Sequence, residues 1–240
     1  LSTRINLVLN STRNPAMLNK EYHIEAIEHD WEASVGLWQT RWQLWNVNQY
    51  RIFRADNSQG HAGHVRQGSL VSYADVHGAA NAATWPNDGN TIEVGQQYLA
   101  VDEWYISRGV IEFANTSQLA GLTIISAGIL IKDASTEAFE KAFNLQIVPA
   151  TGVSYPLVAA DYGDLLDDTT DYGNVAISAG PLWLSGGWCY IPLTAAGIAA
   201  INKTGTTRFA LRSSNDINNV GESGLQTIKE YVLLGGSGAS

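Results

Sequence analysis

The residues of this sequence best suited to bind a metal ion are the carboxylates of the segment DYGDLLDDTTDYG. Clusters of hard carboxylate oxygens bind calcium, so a structural calcium ion is the chemistry that this segment could support. The spacing differs from that of an EF-hand, because no glycine follows a D-x-D-x-D run. A solvated acidic loop explains the same composition, and the candidate ligands are Asp161, Asp164, Asp167 and Asp168.

Two histidines in the stretch HAGH, His61 and His64, are the other residues that could hold a metal. Zinc binds imidazole nitrogens, but no cysteine and no nearby acidic residue completes a set of four ligands. The stretch is therefore interpreted as part of a polar linker. Cys189 is the one cysteine of the chain, which excludes an internal disulfide and a cysteine-rich metal site.

Aromatic side chains near loops are the residues through which the chain could bind sugar. Aromatic rings stack on sugar faces, and neighbouring polar side chains hydrogen-bond the sugar hydroxyls. The segment WPNDGN predicts a turn with an exposed ring, and GPLWLSGGW places two more tryptophans beside glycines. Each ring is also open to the interpretation that it packs in the core, and the candidates are Trp85, Asp88, Trp104, Tyr105, Trp183 and Trp188.

Signatures of catalysis are absent from the sequence. It has no G-x-S-x-G nucleophile motif, no H-E-x-x-H and no P-loop. A glycosidase carboxylate pair cannot be identified from sequence alone. We therefore predict a protein that is not an enzyme.

Four of the eight tryptophans lie close together in the segment HDWEASVGLWQTRWQLW. Helical and strand spacings both fit these positions, but the flanks are rich in β-branched and aromatic residues and EASVG is loop-like. The segment therefore predicts a strand, a loop and a strand. Four rings in one short stretch are typical of hairpin packing or subunit contact more than of an exposed sugar platform, and these rings are Trp31, Trp38, Trp42 and Trp45.

The composition is that of a folded protein with a sizeable core. The 240 residues are 45% hydrophobic and 15% charged, with a formal net charge of -9. The few Lys and Arg residues are scattered, which argues against a nucleic-acid partner. No apolar run is long enough to predict a membrane span. The chain begins without Met and ends on the loop-like GGSGAS, so we expect a piece of a longer polypeptide.

The dominant apolar period is two, which predicts half-buried strands of an antiparallel sandwich. It is clearest in TRINLVL, LTIISAGILI, FNLQIV and TRFALR. One short helix is predicted in LTAAGIAAINKTG, with Thr194 as N-cap and Gly205 as the stop. The polar stretch RADNSQGHAGH predicts a boundary, so residues 1–56 are assigned to one β-domain, 57–64 to a linker and 65–240 to the sandwich.

The segment EYHIEAIEHDWEASVGLWQTRWQL resembles the last hairpin of hub-type minor tail proteins of long-tailed phages. The matching positions are Tyr22, Ile24, Ile27, His29, Trp38, Thr40 and Leu44. The resemblance implies that residues 1–56 complete a tail-hub β-domain within a ring of identical subunits. In that setting His29 would have a structural role.

From about residue 61 the chain resembles DNRLRE-type β-sandwich domains, which are similar to jelly-roll carbohydrate-binding modules. The first group of matching positions is Arg108, Gly109, Phe113, Thr116, Ser117, Ile124, Ser126 and Ala127. The second group is Phe209, Leu211, Arg212, Ser213 and Asp216. Asn115 stands where the family often has Asp, so any role of that Asp does not carry over. The resemblance implies an antiparallel jelly-roll sandwich.

Arg108 and Arg212 lie in strand patterns beside apolar residues. An arginine held inside a sandwich needs a carboxylate or carbonyl partner. Asp216 and Glu112 are the candidate partners, and a solvated arginine is the alternative at each position.

Together these patterns predict a virion structural protein, namely a minor tail or tail-tip protein. Its jelly-roll appendage would project from the tail and could bind glycans of the host surface. The expected partners are other tail subunits in a homo-oligomeric ring, and the expected location is the virion, outside the cell. The alternative is a carbohydrate-binding module of a secreted bacterial enzyme or adhesin. An architectural appendage without a ligand has the same sequence features.

Overall fold

The computed structural model describes residues 4–5, 22–32, 37–46, 60–70, 72–87, 91–99, 103–133, 141–178, 187–221 and 228–235. The chain divides into two compact units, residues 1–52 and 53–240. Each unit is described by itself below.

The described part of the first unit is a three-stranded antiparallel sheet. Its strands β1 (Arg4–Ile5), β2 (Tyr22–Glu32) and β3 (Leu37–Asn46) lie in the order β1-β2-β3. The two predicted strands are confirmed, since β2 and β3 pair antiparallel along most of their length, and the predicted loop lies outside the described residues. Trp31 pairs with Trp38 beside the connection, while Trp42 pairs with Ile27 and Trp45 with His23.

The second unit is an all-β antiparallel sandwich, as predicted. Its ten described strands are β4 (Gly60–Leu70), β5 (Thr84–Asn87), β6 (Thr91–Leu99), β7 (Glu103–Phe113), β8 (Gly128–Asp133), β9 (Phe143–Val148), β10 (Gly173–Ile177), β11 (Trp188–Pro192), β12 (Thr207–Ser213) and β13 (Ile228–Gly235). One layer has the order β5-β4-β7-β12-β9-β10, and the other has the order β6-β13-β8-β11. The central strand β7 connects the layers, because one of its edges pairs with β12 near the C-terminal end and with β6 near the N-terminal end.

Two glycines make the corner at which β6 leaves the first layer. Gly95 has a φ of 122°, a conformation that L side chains rarely adopt, and it lies where β6 turns away from β7. Beyond this turn Ile92 and Val94 cross over Gly109 of β7. A β-carbon at Gly109 would lie 2.4 Å from Ile92 Cγ2 and 2.9 Å from Val94 Cγ2. The missing side chain of Gly109 therefore gives β6 the room to cross into the second layer.

The main core lies between the two layers and contains residues predicted to face inward. Phe143, Leu145 and Ile147 of β9 are buried there together with Phe209 and Leu211 of β12, so the period-two interpretation of these strands is confirmed.

The long predicted strand in LTIISAGILI is wrong in its first half. Strand β8 begins only at Gly128, where its pairing with Pro192 of β11 begins. Residues 122–127 of this segment have no strand partner among the described residues, and Ile125 is 86% exposed. Ile129 and Ile131 are buried as predicted.

Four short α-helices and one 3-10 helix (Thr116–Leu119) are described, although the sequence predicted one helix. The predicted helix is α3 (Ala195–Ala199), which Thr194 caps by accepting a hydrogen bond from the backbone N–H of Gly197 at 3.2 Å. It ends at Ala199, well before Gly205. The others are α1 (Tyr73–His77), α2 (Asp161–Asp164) and α4 (Ser214–Ile217). These three were not predicted from the sequence.

These added helices help to cover the outer face of the first layer. They contribute, with the segment 149–168, to a second core against the strands. Its buried members are Val65, Val76, Tyr98, Trp104, Ile106, Val110, Val148, Val153, Leu157, Tyr162, Leu165 and Ala210. The central strands are therefore buried on both faces. No described helix is long and apolar enough to cross a membrane.

Part of the predicted linker is instead a strand. Strand β4 begins at Gly60 and pairs with β7 from Gly60 opposite Phe113 onward. The polar HAGH stretch forms a strand because the backbone of β7 pairs with it residue by residue. Successive side chains of a strand alternate between faces, so His61 and His64 point to opposite sides. His61 stacks on Tyr155, while His64 Nδ1 accepts a hydrogen bond from the backbone N–H of Glu93.

Candidate binding site

The carboxylate of Asp216 pairs with two arginines, Arg108 and Arg212, beneath helices α1, α2 and α4. We call these three helices the helical layer. Nε and Nη2 of Arg108 donate to Oδ2 and Oδ1 of Asp216 at 3.0 and 2.8 Å. Nε of Arg212 donates to Oδ2 of the same residue at 2.7 Å. All three side chains are at most 1% exposed. The structure therefore brings together Arg108, Arg212 and Asp216, whereas Glu112 pairs with Arg208.

Other guanidinium nitrogens of the two arginines donate to backbone oxygens of helices α1 and α2 and of the residues that follow α2. Arg108 donates to the backbone oxygens of Tyr162 at 2.6 Å and His77 at 3.1 Å. Its guanidinium also lies 4.1 Å from the centre of the Tyr162 ring. Arg212 Nη1 donates to three backbone oxygens between 2.8 and 3.0 Å away, those of Leu165, Leu166 and Asp168. This arginine clamp therefore has a structural role, holding the helical layer on strands β7 and β12.

The clamp sets the protonation of the carboxylate. Burial alone would raise the pKa of Asp216, but the charges and hydrogen bonds of Arg108 and Arg212 outweigh it and lower the pKa to about 2. Burial also raises the pKa of the Tyr162 hydroxyl, which donates to the backbone oxygen of Val76 at 2.9 Å. Asp216 is therefore ionised and Tyr162 neutral at neutral pH.

The lowered pKa predicts a loss of stability in acid. A carboxylate whose pKa is lower in the folded state stabilises the fold above its unfolded value of 3.8, and this stability is lost as the pH falls towards 2. We expect about 2 kcal/mol of the unfolding free energy to disappear between about pH 4 and pH 2. Urea unfolding at several pH values measures this. If the unfolding free energy of Asp216→Asn falls equally over this pH range, the loss comes from other carboxylates.

Two of the four carboxylates proposed for calcium accept hydrogen bonds from neighbouring protein groups. Asp161 accepts a hydrogen bond from the backbone N–H of Val158 at 2.7 Å. Asp168 accepts from the N–H and hydroxyl of Thr151 at 2.7 and 2.8 Å. Asp164 and Asp167 are exposed. No group of three or more His, Cys, Asp or Glu residues among those described could hold a metal ion.

The aromatic residues proposed for sugar binding separate into distinct environments. Trp104 is only 7% exposed and packs against Tyr73 and Tyr98, so it belongs to the second core. The Tyr105 ring lies over Gly68, and the Arg66 guanidinium lies 4.4 Å from its centre, so this ring makes contacts within the protein.

Other candidates lie partly or wholly outside the described residues. Trp85 belongs to strand β5 rather than to a turn, because β5 pairs with β4. Asp88 and Trp183 fall outside the residues that the structure describes.

An exposed aromatic face lies on the outer side of the strand pair β8–β11. Trp188 and Tyr190 of β11 are each 58% exposed, and Leu130 of β8 is 59% exposed. They share one side because Trp188 pairs with Lys132 and Tyr190 with Leu130, with one residue between them on each strand. The Tyr190 ring crosses Gly128, where an added β-carbon would meet ring atoms at 2.3–2.4 Å. We call Trp188, Tyr190 and Leu130 the aromatic face.

The sequence predicted one member of this face and missed the others. Trp188 was a candidate because of nearby glycines, whereas Tyr190 and Leu130 were not. A period-two signal exists in WCYI, since Ile191 is buried and Tyr190 is exposed. Sequence alone does not say which side of an alternating strand faces solvent, because this depends on which face of the strand packs against the main core.

Comparisons with known proteins identify no family for this chain, since no protein-family model matches it and no curated protein matches it closely enough to indicate a relationship. The resemblances to hub-type tail proteins and to DNRLRE-type domains therefore stay predictions.

Proposed function

We propose that this chain is a non-catalytic structural protein of a phage tail tip whose sandwich unit attaches to glycans of the host surface. The observation that carries the attachment is the aromatic face, where two rings more than half exposed stand side by side on one strand. Large apolar side chains exposed together are typical of interaction sites. The mechanism is passive, because a rigid sheet presents rings to a ligand and no reaction is assigned.

Stacking on sugar is the binding chemistry that the aromatic face fits. Trp188 and Tyr190 each offer a flat apolar ring with one polar tip, which suits a ligand with apolar faces and hydroxyl edges. The sheet beneath the rings is held rigid by the buried residues Ile129, Ile131 and Ile191. Preformed rings lose little conformational freedom on binding.

The tail location is supported by the first unit. Strands β2 (residues 22–32) and β3 (residues 37–46) pair antiparallel as the hub resemblance implies, with Trp31 opposite Trp38. A hub-like ring would present several copies of the sandwich together. Several weak sites on one particle raise the overall avidity by about 100-fold or more without new contacts.

Immunoelectron microscopy of the native particle tests the location. An antibody against residues 61–240 is expected to label the tip of a phage tail. Label on a bacterial surface, or on free secreted protein, would reject the virion assignment and favour a carbohydrate-binding module of a secreted enzyme or adhesin. Native mass spectrometry of the purified chain is expected to show a closed oligomer, as a ring requires.

A further inference from the structure

We infer that residues 122–127 are a contact segment through which two copies of this chain pair as antiparallel strands, centred on Ile125. The contact segment leads directly into strand β8, and within one chain it has no strand partner among the described residues. The inference concerns contact between copies and does not depend on the proposed glycan binding.

The contact segment is exposed and rich in residues that favour strands. Its sequence is LTIISA, with three β-branched residues in a row. Ile125 is 86% exposed and Leu122 is 40% exposed. Proteins commonly protect an open strand edge with charged residues or proline, and the sequence from Leu119 to Ile131 contains neither. The contact segment is therefore suited to pair with another strand.

The backbone in the middle of the contact segment is open to a partner. Hydrogen bonds between described residues engage the backbone of Leu122 and Ala127, one at each end. None of these bonds engages a backbone N–H or C=O group of residues 123–126. Unpaired backbone groups that continue a strand are the groups with which an added strand forms its hydrogen bonds.

The pairing of β8 with β11 shows which edge a second copy would join. The backbone oxygen of Ala127 accepts a hydrogen bond at 2.9 Å from the N–H of Leu193, which follows β11. Backbone groups of successive strand residues point to opposite edges, so those of Ile124 and Ser126 would face away from β11 if β8 continued. Ile124 of one copy would then hydrogen-bond with Ser126 of the other, and Ile125 would lie opposite Ile125.

A second copy fits this edge because the segment is complementary to itself. Centring the pair on Ile125 keeps the odd-numbered positions of both copies on one face, in continuation of the buried Ile129 and Ile131. No like charges meet across the pair, because the segment has none. Two strands of about six residues bury less than the about 800 Å² per partner of a stable interface. Pairing should therefore be weak unless the copies are held together on one particle.

Cysteine cross-linking of the full chain tests both the pairing and its register. Opposite residues of a non-hydrogen-bonded antiparallel pair have Cα atoms about 4.5 Å apart, which a disulfide can span. We expect Ile125→Cys to form a disulfide-linked dimer about tenfold or more faster than Thr123→Cys or Ser126→Cys. All three positions are exposed. The unsubstituted chain measures any contribution from Cys189, and non-reducing gels measure the rates.

A proline variant separates strand pairing from collision of exposed thiols. Adding Ser126→Pro to Ile125→Cys removes an N–H that the pairing needs but leaves the thiol in place. Cross-linking should then slow to the rate of Thr123→Cys. Thermal unfolding followed by circular dichroism should show that the double variant is still folded.

Several results would overturn the inference. Equal rates at the three cysteine positions would indicate random collision, and no dimer from Ile125→Cys would exclude the contact. Faster cross-linking of Thr123→Cys or Ser126→Cys than of Ile125→Cys would contradict the register. An unchanged rate after Ser126→Pro would show that the copies touch without backbone pairing.

Discussion

Asp216→Asn should lower the free energy of unfolding by about 3–5 kcal/mol. The carboxylate is the shared partner of Arg108 and Arg212, and both guanidiniums are fully buried. An asparagine keeps the shape but removes the negative charge, which leaves two positive charges in the interior. Urea unfolding followed by circular dichroism at pH 7 measures the change.

Asp167→Asn is the matched control for this substitution. Asp167 lies in the neighbouring acidic segment, is exposed, and undergoes the same chemical change. We expect its effect to stay within about 0.5 kcal/mol. If Asp216→Asn costs no more than Asp167→Asn, the arginine clamp does not hold the helical layer on the sheet and its structural assignment is wrong.

The parts of the fold that the sequence predicted are those in which local pattern and tertiary context agree. FNLQIV and TRFALR alternate cleanly, and their apolar residues do face the main core. The two strands of the four-tryptophan segment pair as expected. The alternation in LTIISAGILI predicted a strand through Ile125 as well. It failed there because apolar alternation forms a strand only where a partner strand is present.

The candidate site could be predicted only in part, for related physical reasons. The arginine clamp follows from charge pairing, because a strand arginine among apolar neighbours needs a carboxylate and Asp216 lies four positions after Arg212. The aromatic face depends on which side of β11 stays uncovered. That side is decided by tertiary packing, because Ile191 faces the main core formed by strands distant in sequence and Tyr190 lies on the opposite side. Residue type alone therefore does not distinguish the buried Trp104 from the exposed Trp188.

Gly109→Val should destabilise the sandwich by about 3 kcal/mol, at the upper end of the usual cost of overpacking. Gly109 is buried, and a β-carbon there would lie 2.4 Å from Ile92, 2.9 Å from Val94 and 3.2 Å from Leu211. These neighbours belong to the packed main core and cannot all move aside. Replacing an exposed glycine normally stabilises a protein slightly by restricting the unfolded chain. At the buried Gly109 we expect the opposite, a lower free energy of unfolding. Thermal unfolding of the variant measures it.

A second variant separates the crossing of β6 from a general intolerance of valine at this position. Ile92→Ala removes the methyl group nearest to the new side chain, at its own cost of about 2–5 kcal/mol for a cavity. If contact with Ile92 causes the strain, the double variant should be more stable than the sum of the two single losses predicts, by about 1 kcal/mol or more. Additive losses would show that Gly109 is not the residue that lets β6 cross from the first layer to the second.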